Sequence, residues 1–370
     1  MNGTSPRFLK SIPLILGLLI ALACPAFSQD IKTLTKRAKG GDAEAQFNLG
    51  VMYQGGQGVP QDYKEAVKWF RKAAAQGYID AQFNLGVMYQ GGQGVRQDYK
   101  EAVKWFRKAA MQSYVRAQFN LGVSYYKGLG VPQDIAEAMK WYRKAGERGD
   151  IRAQSILGCA YSIGHVVPKD YAEAAKWFRK AAAQGDANAQ YFLGTDYYNG
   201  LGVPKDYSEA AKWYRRAADQ GHAKAQSNIG FAYYEGEGVP HDYSEAVKWY
   251  RVAAEQGEEI AQYNLGLIYY IGKGVPKDYS EAVKWWRKAA EQGHAEAQYN
   301  LGVSYAKGEG VPQDYSLAYF WLSLSSSRRQ GEDYDNTSKA MDGVAKMLPP
   351  EQLMNAQQMT RDWEAKHPRE

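Results

Sequence analysis

Hydrophobic and polar positions follow a period of 36 residues between Asp42 and Gly331, without an insertion. The same glutamine recurs in every unit, at Gln46, Gln82, Gln118, Gln154, Gln190, Gln226, Gln262 and Gln298. A tryptophan keeps the same step, at Trp69, Trp105, Trp141, Trp177, Trp213, Trp249, Trp285 and Trp321. Fixed periods of this size are typical of stacked repeats, in which each unit buries its apolar side against its neighbours. The 370 residues therefore contain eight copies of one unit rather than two or three globular domains.

The first part of each unit has the periodicity of a helix. In the first copy, Ala45, Leu49 and Tyr53 recur at four-residue spacing within Ala43 to Tyr53, and Gly50 leaves room for a neighbouring backbone to come close. The sequence Gly-Gly-Gln-Gly-Val-Pro over residues 55–60 cannot continue this helix, because glycine allows positive φ and proline disfavours a helical predecessor. We expect a loop there.

A second helix follows the loop. Asp62 is predicted to cap it, with Glu65 three residues later completing a capping box, and Gly77 is the expected terminator after a last residue near Gln76. One side of this helix is apolar and comprises Tyr63, Ala66, Val67, Trp69, Phe70, Ala73 and Ala74. The other side carries Lys64, Glu65, Lys68, Arg71 and Lys72. The helix is therefore amphipathic, with a solvated basic stripe opposite its packing side.

Both ends of the array require caps, since a terminal repeat has no neighbour on one side. Residues 29–41 are predicted to form an N-terminal capping helix, with Leu34 and Ala38 in the places of Phe70 and Ala74. In the eighth repeat the polar side becomes apolar, at Leu317, Phe320 and Leu324. Residues 332–370 are predicted to cover it with helices near 337–347 and after Pro350, and Leu353, Ala356 and Trp363 form an apolar stripe on the latter.

Residues 1–28 have the pattern of a cleaved secretory signal. Basic residues precede an apolar run from Ile12 to Ala23, and Ala26 and Ser28 are small residues two apart before Gln29, the predicted start of the mature chain. A retained anchor is the alternative, but the run is shorter than the roughly 20 residues that span a bilayer. Cleavage and lipidation at Cys24 is a further alternative. We therefore expect an exported protein, periplasmic or secreted, without a transmembrane segment in its mature form.

Composition and charge limit the chemistry. A chain with 45% hydrophobic and 23% charged residues is neither disordered nor collagen-like. The 46 basic residues are offset by 40 acidic ones, so no nucleic-acid partner is expected. The five histidines lack the spacing of a zinc site, and removal of the signal leaves Cys159 as the single thiol. No metal, cofactor or internal disulfide is predicted.

The repeated motifs resemble a known family. The run Ala45-Gln46-Phe47-Asn48-Leu49-Gly50, the Gly-x-Gly-Val-Pro-x-Asp-Tyr loop and the Glu-Ala-Val-Lys-Trp-Phe-Arg-Lys-Ala-Ala helix are similar to the Sel-one-like repeat, a relative of the tetratricopeptide repeat, over residues 42–331. The resemblance implies an all-α, right-handed superhelical solenoid of eight helix-turn-helix repeats that serves as a scaffold for protein partners. Departures from the pattern are Val166 and Ser113 in the places of loop and terminator glycines, and Arg96 in the place of proline.

The resemblance also implies where a partner binds. In tetratricopeptide arrays the first helices line the concave face, and the usual contact positions correspond here to Glu44, Phe47, Val51 and Gln54, which share one side of the helix. Aromatic residues at two of these positions are the candidate partner-binding residues, namely Phe47, Phe83, Phe119, Tyr126, Tyr191, Tyr198, Tyr234, Tyr263, Tyr270 and Tyr299. The alternative is that they pack between adjacent helices. Asn48 and its equivalents are expected to hydrogen-bond neighbouring backbone.

Catalytic patterns are weak. Ser124 and Lys127, and likewise Ser304 and Lys307, satisfy Ser-x-x-Lys, but neither Ser-Asp-Asn nor Lys-Thr-Gly accompanies them. A cysteine-rich branch of the family includes members described as penicillin-binding or β-lactamase-like, and this chain lacks the paired cysteines of that branch. The sequence therefore favours a monomeric, exported scaffold that binds a protein or peptide in the concave groove, with no catalytic residues. A β-lactamase-like or cell-wall-modifying enzyme is the alternative.

Overall fold

The computed structural model describes residues 31–367, so the predicted signal segment, residues 1–28, lies outside the described part. Nineteen α-helices and no strand occur within the described residues. The first helices of the repeats are α2 (Ala43–Gly55), α4 (Ile79–Gly91), α6 (Val115–Lys127), α8 (Ile151–Ile163), α10 (Ala187–Asn199), α12 (Ala223–Glu235), α14 (Glu259–Ile271) and α16 (Ala295–Lys307). The second helices are α3 (Tyr63–Ala75), α5 (Tyr99–Met111), α7 (Ile135–Glu147), α9 (Tyr171–Ala183), α11 (Tyr207–Asp219), α13 (Tyr243–Glu255), α15 (Tyr279–Glu291) and α17 (Tyr315–Ser326). A helix α1 (Ile31–Lys39) precedes the repeats, and α18 (Gly331–Ala345) and α19 (Pro350–Lys366) follow them.

The helices form two compact units. The first unit comprises the described residues up to Ala160 together with residues 165–167, and the second comprises residues 161–164 and the chain from Pro168 onward. Within each unit, a first helix packs on the second helix of its own repeat, and that second helix packs on the first helix of the next repeat. The predicted all-α architecture of eight helix-turn-helix repeats is confirmed.

The second helices begin at the predicted aspartate, but without the predicted capping box. Asp62 Oδ1 accepts hydrogen bonds from the backbone N–H groups of Lys64 and Glu65, at 2.9 and 3.0 Å. The backbone N–H of Asp62 donates to the carbonyl of Tyr53 at 2.9 Å, and the Glu65 carboxylate pairs with Lys68. The N–H that a capping-box glutamate would satisfy is therefore already used to close the loop onto the first helix.

Gly50 permits a close approach, but of a side chain rather than of a backbone. A Cβ atom at this position would lie 2.7 Å from two ring carbons of Phe70 in the second helix of the same repeat. In the next repeat, a Cβ at Gly86 would lie 2.6 Å from the ring of Phe106. The glycine in the first helix and the aromatic ring in the second therefore fit together as one packing element.

A buried glutamine joins each repeat to the one before it. Gln46 Nε2 donates to the carbonyl of Ala38 at 3.1 Å, and Gln46 Oε1 accepts from Nε2 of Gln76 at 2.8 Å. The equivalent donor bond forms in every repeat. Gln118 Oε1 and Gln298 Oε1 have no hydrogen-bond partner, and in these repeats Arg148 and Arg328 stand in the place of Gln76. The carbonyl of Ala38 also accepts the backbone N–H of Gly41 at 3.2 Å, so the amide side chain adds a second hydrogen bond at the end of the preceding helix and is itself satisfied on burial.

The turn after the second helix uses a left-handed residue in the first seven repeats. Gly77 has a φ of 87°, and Ser113, which replaces this glycine in the second repeat, keeps the same region with a φ of 68°. The serine is the single non-glycine residue with positive φ among residues 31–367. The turn therefore retains its conformation at the expense of local backbone strain.

Both ends of the repeat array are covered by helices. Leu34 and Ala38 of α1 are buried in a cluster with residues of the first repeat. At the other end, Phe320 and Leu324 are buried with Val344 of α18 and Ala356 of α19, and the partly buried residues of the same cluster include Leu317, Leu353 and Trp363. The helix predicted near 337–347 begins earlier, at Gly331, with Glu332 and Asp333 in a first turn where carboxylates interact favourably with the helix dipole.

Candidate functional site on the first helices

The positions equivalent to Glu44, Phe47, Val51 and Gln54 lie on one side of every first helix, because their spacing of three, four and three residues matches the helical repeat. We call this side the first-helix face. Since the chain forms two compact units, the face is described in each unit separately.

In the first unit, the aromatic residues of this face are packed against neighbouring side chains to different depths. The ring centroid of Phe47 lies 5.8 Å from that of Phe70 and 5.2 Å from that of Tyr78, the residue before the next first helix. Phe83 and Phe119 are each only 4% exposed. These two rings offer almost no surface to a partner, contrary to their assignment as partner-binding residues. Tyr126 is half-buried, and burial raises the pKa of its hydroxyl.

In the second unit, three tyrosines at the Phe47-equivalent position are half-buried beneath residues of the following segment. Tyr191 stacks on His222 with ring centroids 4.7 Å apart, and Tyr263 stacks on His294 at 4.6 Å. The guanidinium carbon of Arg329 lies 4.7 Å above the ring of Tyr299. These tyrosines therefore pack against the following segment, as the second interpretation of the aromatic series expects, and remain partly exposed.

The two stacked histidines also cap first helices. His222 Nδ1 accepts from the backbone N–H of Ala225 at 3.2 Å, and His294 Nδ1 accepts from Ala297 at 3.3 Å. Burial lowers the pKa of both rings. Because only a neutral ring has a nitrogen free to accept, the caps require the unprotonated form.

The Gln54-equivalent tyrosines of the second unit lie at the carboxyl end of the first helices. Tyr198, Tyr234 and Tyr270 each pack against the tyrosine that starts the second helix, with ring centroids 5.0 to 5.1 Å apart. The hydroxyl of Tyr270 donates to Glu309 Oε2 at 3.1 Å. Burial, followed by interaction with Glu237, raises the pKa of Tyr198 to about 12. Burial also raises the pKa of Tyr270, and its hydroxyl is already engaged by a carboxylate, so its ring rather than its hydroxyl is the part available for contact.

The sequence analysis missed three apolar residues on the same side of the second unit. Phe231, Ile260 and Ile271 are 37%, 54% and 44% exposed. A signal existed in the sequence at the place of Glu44, where the remaining repeats carry Asp80, Arg116, Arg152, Asn188, Lys224 and Glu296. Ile260 is the apolar exception in that series.

The outer side of the second helices is internally paired. Lysines form ion pairs with glutamates three residues before them, at Lys68–Glu65, Lys104–Glu101, Lys140–Glu137, Lys176–Glu173, Lys212–Glu209, Lys248–Glu245 and Lys284–Glu281. The next cation along lies over a tryptophan ring, as Lys72 Nζ does over Trp69 at 4.1 Å. The predicted basic stripe is therefore a solvated surface on which one lysine per repeat is paired with a glutamate and another lies over a tryptophan ring.

The serines of the two Ser-x-x-Lys motifs are not arranged as nucleophiles. Ser124 and Ser304 are each 2% exposed. Their hydroxyls donate to the carbonyls of Asn120 and Asn300, at 2.9 and 2.8 Å. Among residues 31–367, no three His, Cys, Asp or Glu side chains are grouped so that they could hold a metal ion.

None of the helices described between residues 31 and 367 combines the length and the apolar character that a membrane span requires.

Comparison with known proteins identifies the repeat. A family model described as the Sel1 repeat matches eight consecutive segments, residues 43–78, 79–114, 115–150, 151–186, 187–222, 223–258, 260–294 and 295–328. Among curated protein sequences, none matches the chain significantly.

Two solved structures are similar to the chain over most of its length. A Sel1 repeat protein from Oxalobacter formigenes is 33% identical with a TM-score of 0.62, and the alignment covers 88% of this chain and 98% of that one. The protein c5321, a protective antigen present in uropathogenic Escherichia coli strains displaying an SLR fold, is 31% identical with a TM-score of 0.57, covering 91% of this chain and 95% of that one.

Proposed function

Because the chain belongs to the Sel1 repeat family, whose repeats typically mediate protein–protein interaction, we propose that it is an exported scaffold that binds a protein or peptide partner on its first-helix face. The partner-binding residues proposed are the partly exposed aromatic residues of this face, Phe47, Tyr126, Tyr191, Tyr198, Tyr234, Tyr263, Tyr270 and Tyr299.

The observation that carries this proposal is the contrast between the two sides of each repeat. On the outer side, charged side chains are exposed, and lysine and glutamate side chains pair with each other. On the first-helix face of the second unit, the tyrosines are only half-buried and so keep part of their surface exposed. Tyrosines held in one orientation supply a large contact area at low cost in conformational entropy, which favours binding.

Cross-linking of the protein in its own cells, followed by identification of the captured species, tests the proposal. The test variant combines Tyr198→Ala, Tyr234→Ala and Tyr270→Ala, and the control variant combines Lys68→Gln, Lys104→Gln and Lys248→Gln on the outer side. We expect the tyrosine variant to lose capture by at least about tenfold, as truncation of binding hot spots does, while the control captures normally. Capture that is equal in both variants, with both proteins folded by circular dichroism, would contradict a binding role for this face.

Export is supported by the signal pattern of residues 1–28 and by the description of the similar E. coli protein as a protective antigen. Intact-mass analysis of the protein purified from its own cells should give a chain that begins at Gln29. A lipidated chain that begins at Cys24 would replace secretion by membrane anchoring, and an uncleaved product would contradict export.

The alternative, a β-lactamase-like or cell-wall-modifying enzyme, has less support. A nucleophilic serine must be reached by its substrate, whereas Ser124 and Ser304 are buried and hydrogen-bonded to backbone. Hydrolysis of nitrocefin by the purified protein, abolished by Ser124→Ala or Ser304→Ala, would favour the enzyme over the scaffold.

A further inference from the structure

Four apolar residues lie on the first helices of two successive repeats in the second unit. Ile260, Leu267 and Ile271 lie on α14 at spacings of seven and four residues, so they share one side of that helix. Phe231 on α12 occupies the repeat position of Leu267. The carboxyl ends of the two helices lie close together, because Nζ of Lys273, two residues after α14, is 5.5 Å from the ring centroid of Tyr234 on α12. We call Phe231, Ile260, Leu267 and Ile271 the repeat-seven patch.

The patch is not required for packing of the repeats. Ile260 is 54% exposed, Ile271 is 44% exposed and Phe231 is 37% exposed, whereas the core of the same helix is formed by other residues, such as Leu265 at 0%. Other repeats replace these residues by polar or smaller ones without loss of the fold, for example Glu44 and Val51 in the first repeat. Contiguous exposed apolar residues on a folded protein are typical of an interaction surface.

One end of the patch is acidic. Glu258, Glu259 and Glu296 lie at the amino ends of α14 and α16, next to Ile260. Burial raises the pKa of Glu259, and the charges of Glu258 and Glu296 raise it further, while Arg328 acts in the opposite direction. A cation placed among these carboxylates would relieve their mutual repulsion. Since the whole chain carries a net charge of +6, this negative potential is a local property of the site.

We propose that the repeat-seven patch binds a polypeptide segment that places apolar side chains on Phe231 and Ile260 and a lysine or arginine against Glu259 and Glu296. This inference rests on the proposed scaffold function and adds the location and the chemistry of the partner. The apolar strip supplies contact area, and the carboxylates select basic over acidic segments, because a like charge at this end would be repelled.

Selection of short random peptides displayed on phage against the immobilised full chain provides the probe. The enriched peptides are expected to combine aromatic or aliphatic residues with an adjacent lysine or arginine. The most enriched peptide is then synthesised with a fluorophore, and its dissociation constant is measured by fluorescence polarisation.

Two variants with matched chemistry locate the binding surface. Ile260→Lys should weaken binding of the peptide by at least about tenfold, since it removes the most exposed apolar side chain of the patch and places a competing cation beside the carboxylates. Val252→Lys makes the same kind of change at a residue that is 43% exposed on α13, at a position where other repeats carry Lys72 or Lys288. We expect this control to bind the peptide with unchanged affinity.

The charge is tested by a double change. The double variant Glu259→Gln, Glu296→Gln should weaken the binding of a basic peptide by about fivefold at low salt. It should have no effect on binding of the same peptide with its basic residue replaced by norleucine. Glu258 is left in place because it caps α14 by accepting from the N–H of Ala261 at 2.6 Å.

Three outcomes would overturn the inference: no enriched peptide, enrichment of acidic peptides, or binding that Ile260→Lys leaves unchanged. The cellular cross-linking experiment separates this failure from failure of the scaffold function. If a partner is still captured in cells by Ile260→Lys and lost with the tyrosine variant, the protein is a scaffold whose site is elsewhere on the first-helix face.

Discussion

Replacing Asp196 by alanine should stabilise the protein above neutral pH, because this carboxyl group is buried without a partner. Asp196 is 4% exposed on α10, and its Oδ2 has no hydrogen-bond partner. At the same position the other repeats carry Met52, Met88, Ser124, Ala160, Ala232, Ile268 and Ser304. Burial raises the pKa of Asp196 from 3.8 to about 7, so the fold favours the protonated, uncharged form.

The magnitude follows from the difference between the two states. The unfolded chain ionises at its ordinary pKa, whereas the folded chain holds the proton to about pH 7. Folding is therefore favoured by the neutral form below the unfolded pKa, and this contribution is lost as the pH rises through the folded pKa. A difference of about three pKa units corresponds to a loss of about 4 kcal/mol, which is fully developed above about pH 7.

Hydrogen exchange measured by mass spectrometry is the suitable assay, since repeat arrays unfold in segments and a single global free energy does not describe them. Protection of the α10 amides in Asp196→Ala is compared with the unmodified protein at the same pH, near about pH 5 and about pH 8. We expect a gain in protection in the variant that is large at the higher pH and clearly smaller at the lower pH, where the unfolded chain has ionised but only about a third of the full pKa difference has developed. Asp219→Asn is the control, because it removes an acidic charge that is exposed and paired with Arg215.

A gain in protection that is equal at both pH values would refute the reasoning. It would mean that alanine acts by packing or helix propensity, and that no charge is buried at this position.

The remaining predictions concern packing, capping and the array end. Gly86→Ala should destabilise the folded protein by about 1–3 kcal/mol, because the added Cβ would lie 2.6 Å from the ring of Phe106. Gly343→Ala should be neutral or stabilising, because its Cβ would meet nothing within 4 Å, and thermal melts of the two variants test the difference. Truncation before Gly331 should expose the cluster around Leu324 and cause association, so a monomeric truncated protein in sedimentation analysis would contradict the covering role of α18 and α19. Because the folded pKa of His294 is lowered, stability should fall as the pH drops below about 6.5, and a His294→Asp variant should lose that part of the pH profile in melts.

The 36-residue period of the sequence was sufficient to predict the helices, their order and the helices that cover both ends of the array. Leu34 could be identified because it occupies the apolar position of Phe70, and Leu324 because it breaks the polar pattern that the other repeats obey. Features that depend on one repeat alone, such as the helix cap formed by Asp62, could also be predicted from the sequence.

The burial of side chains on the first-helix face could not be predicted from the sequence in the same way. A helical wheel places Phe83 on the same side as Phe47, but the exposure of Phe83 depends on Tyr114, whose ring lies 5.2 Å away, and on Arg116, 4.7 Å above it. Both belong to the next repeat. In a stacked array, the burial of a side chain depends on the neighbouring repeat. It therefore cannot be predicted from the sequence pattern of one repeat alone.

The shared glutamine bond between repeats has an evolutionary consequence. Gln82 and Gln226 make the same contact with the helix before them, so a repeat meets an equivalent junction wherever it is inserted. Unequal recombination between copies in the gene therefore produces longer or shorter chains whose junctions are already matched. The exposed positions, such as Ile260, take no part in these junctions and are free to diverge. Duplication of repeats can thus change the length of the protein, while point mutations change its recognition surface, and the two changes are independent.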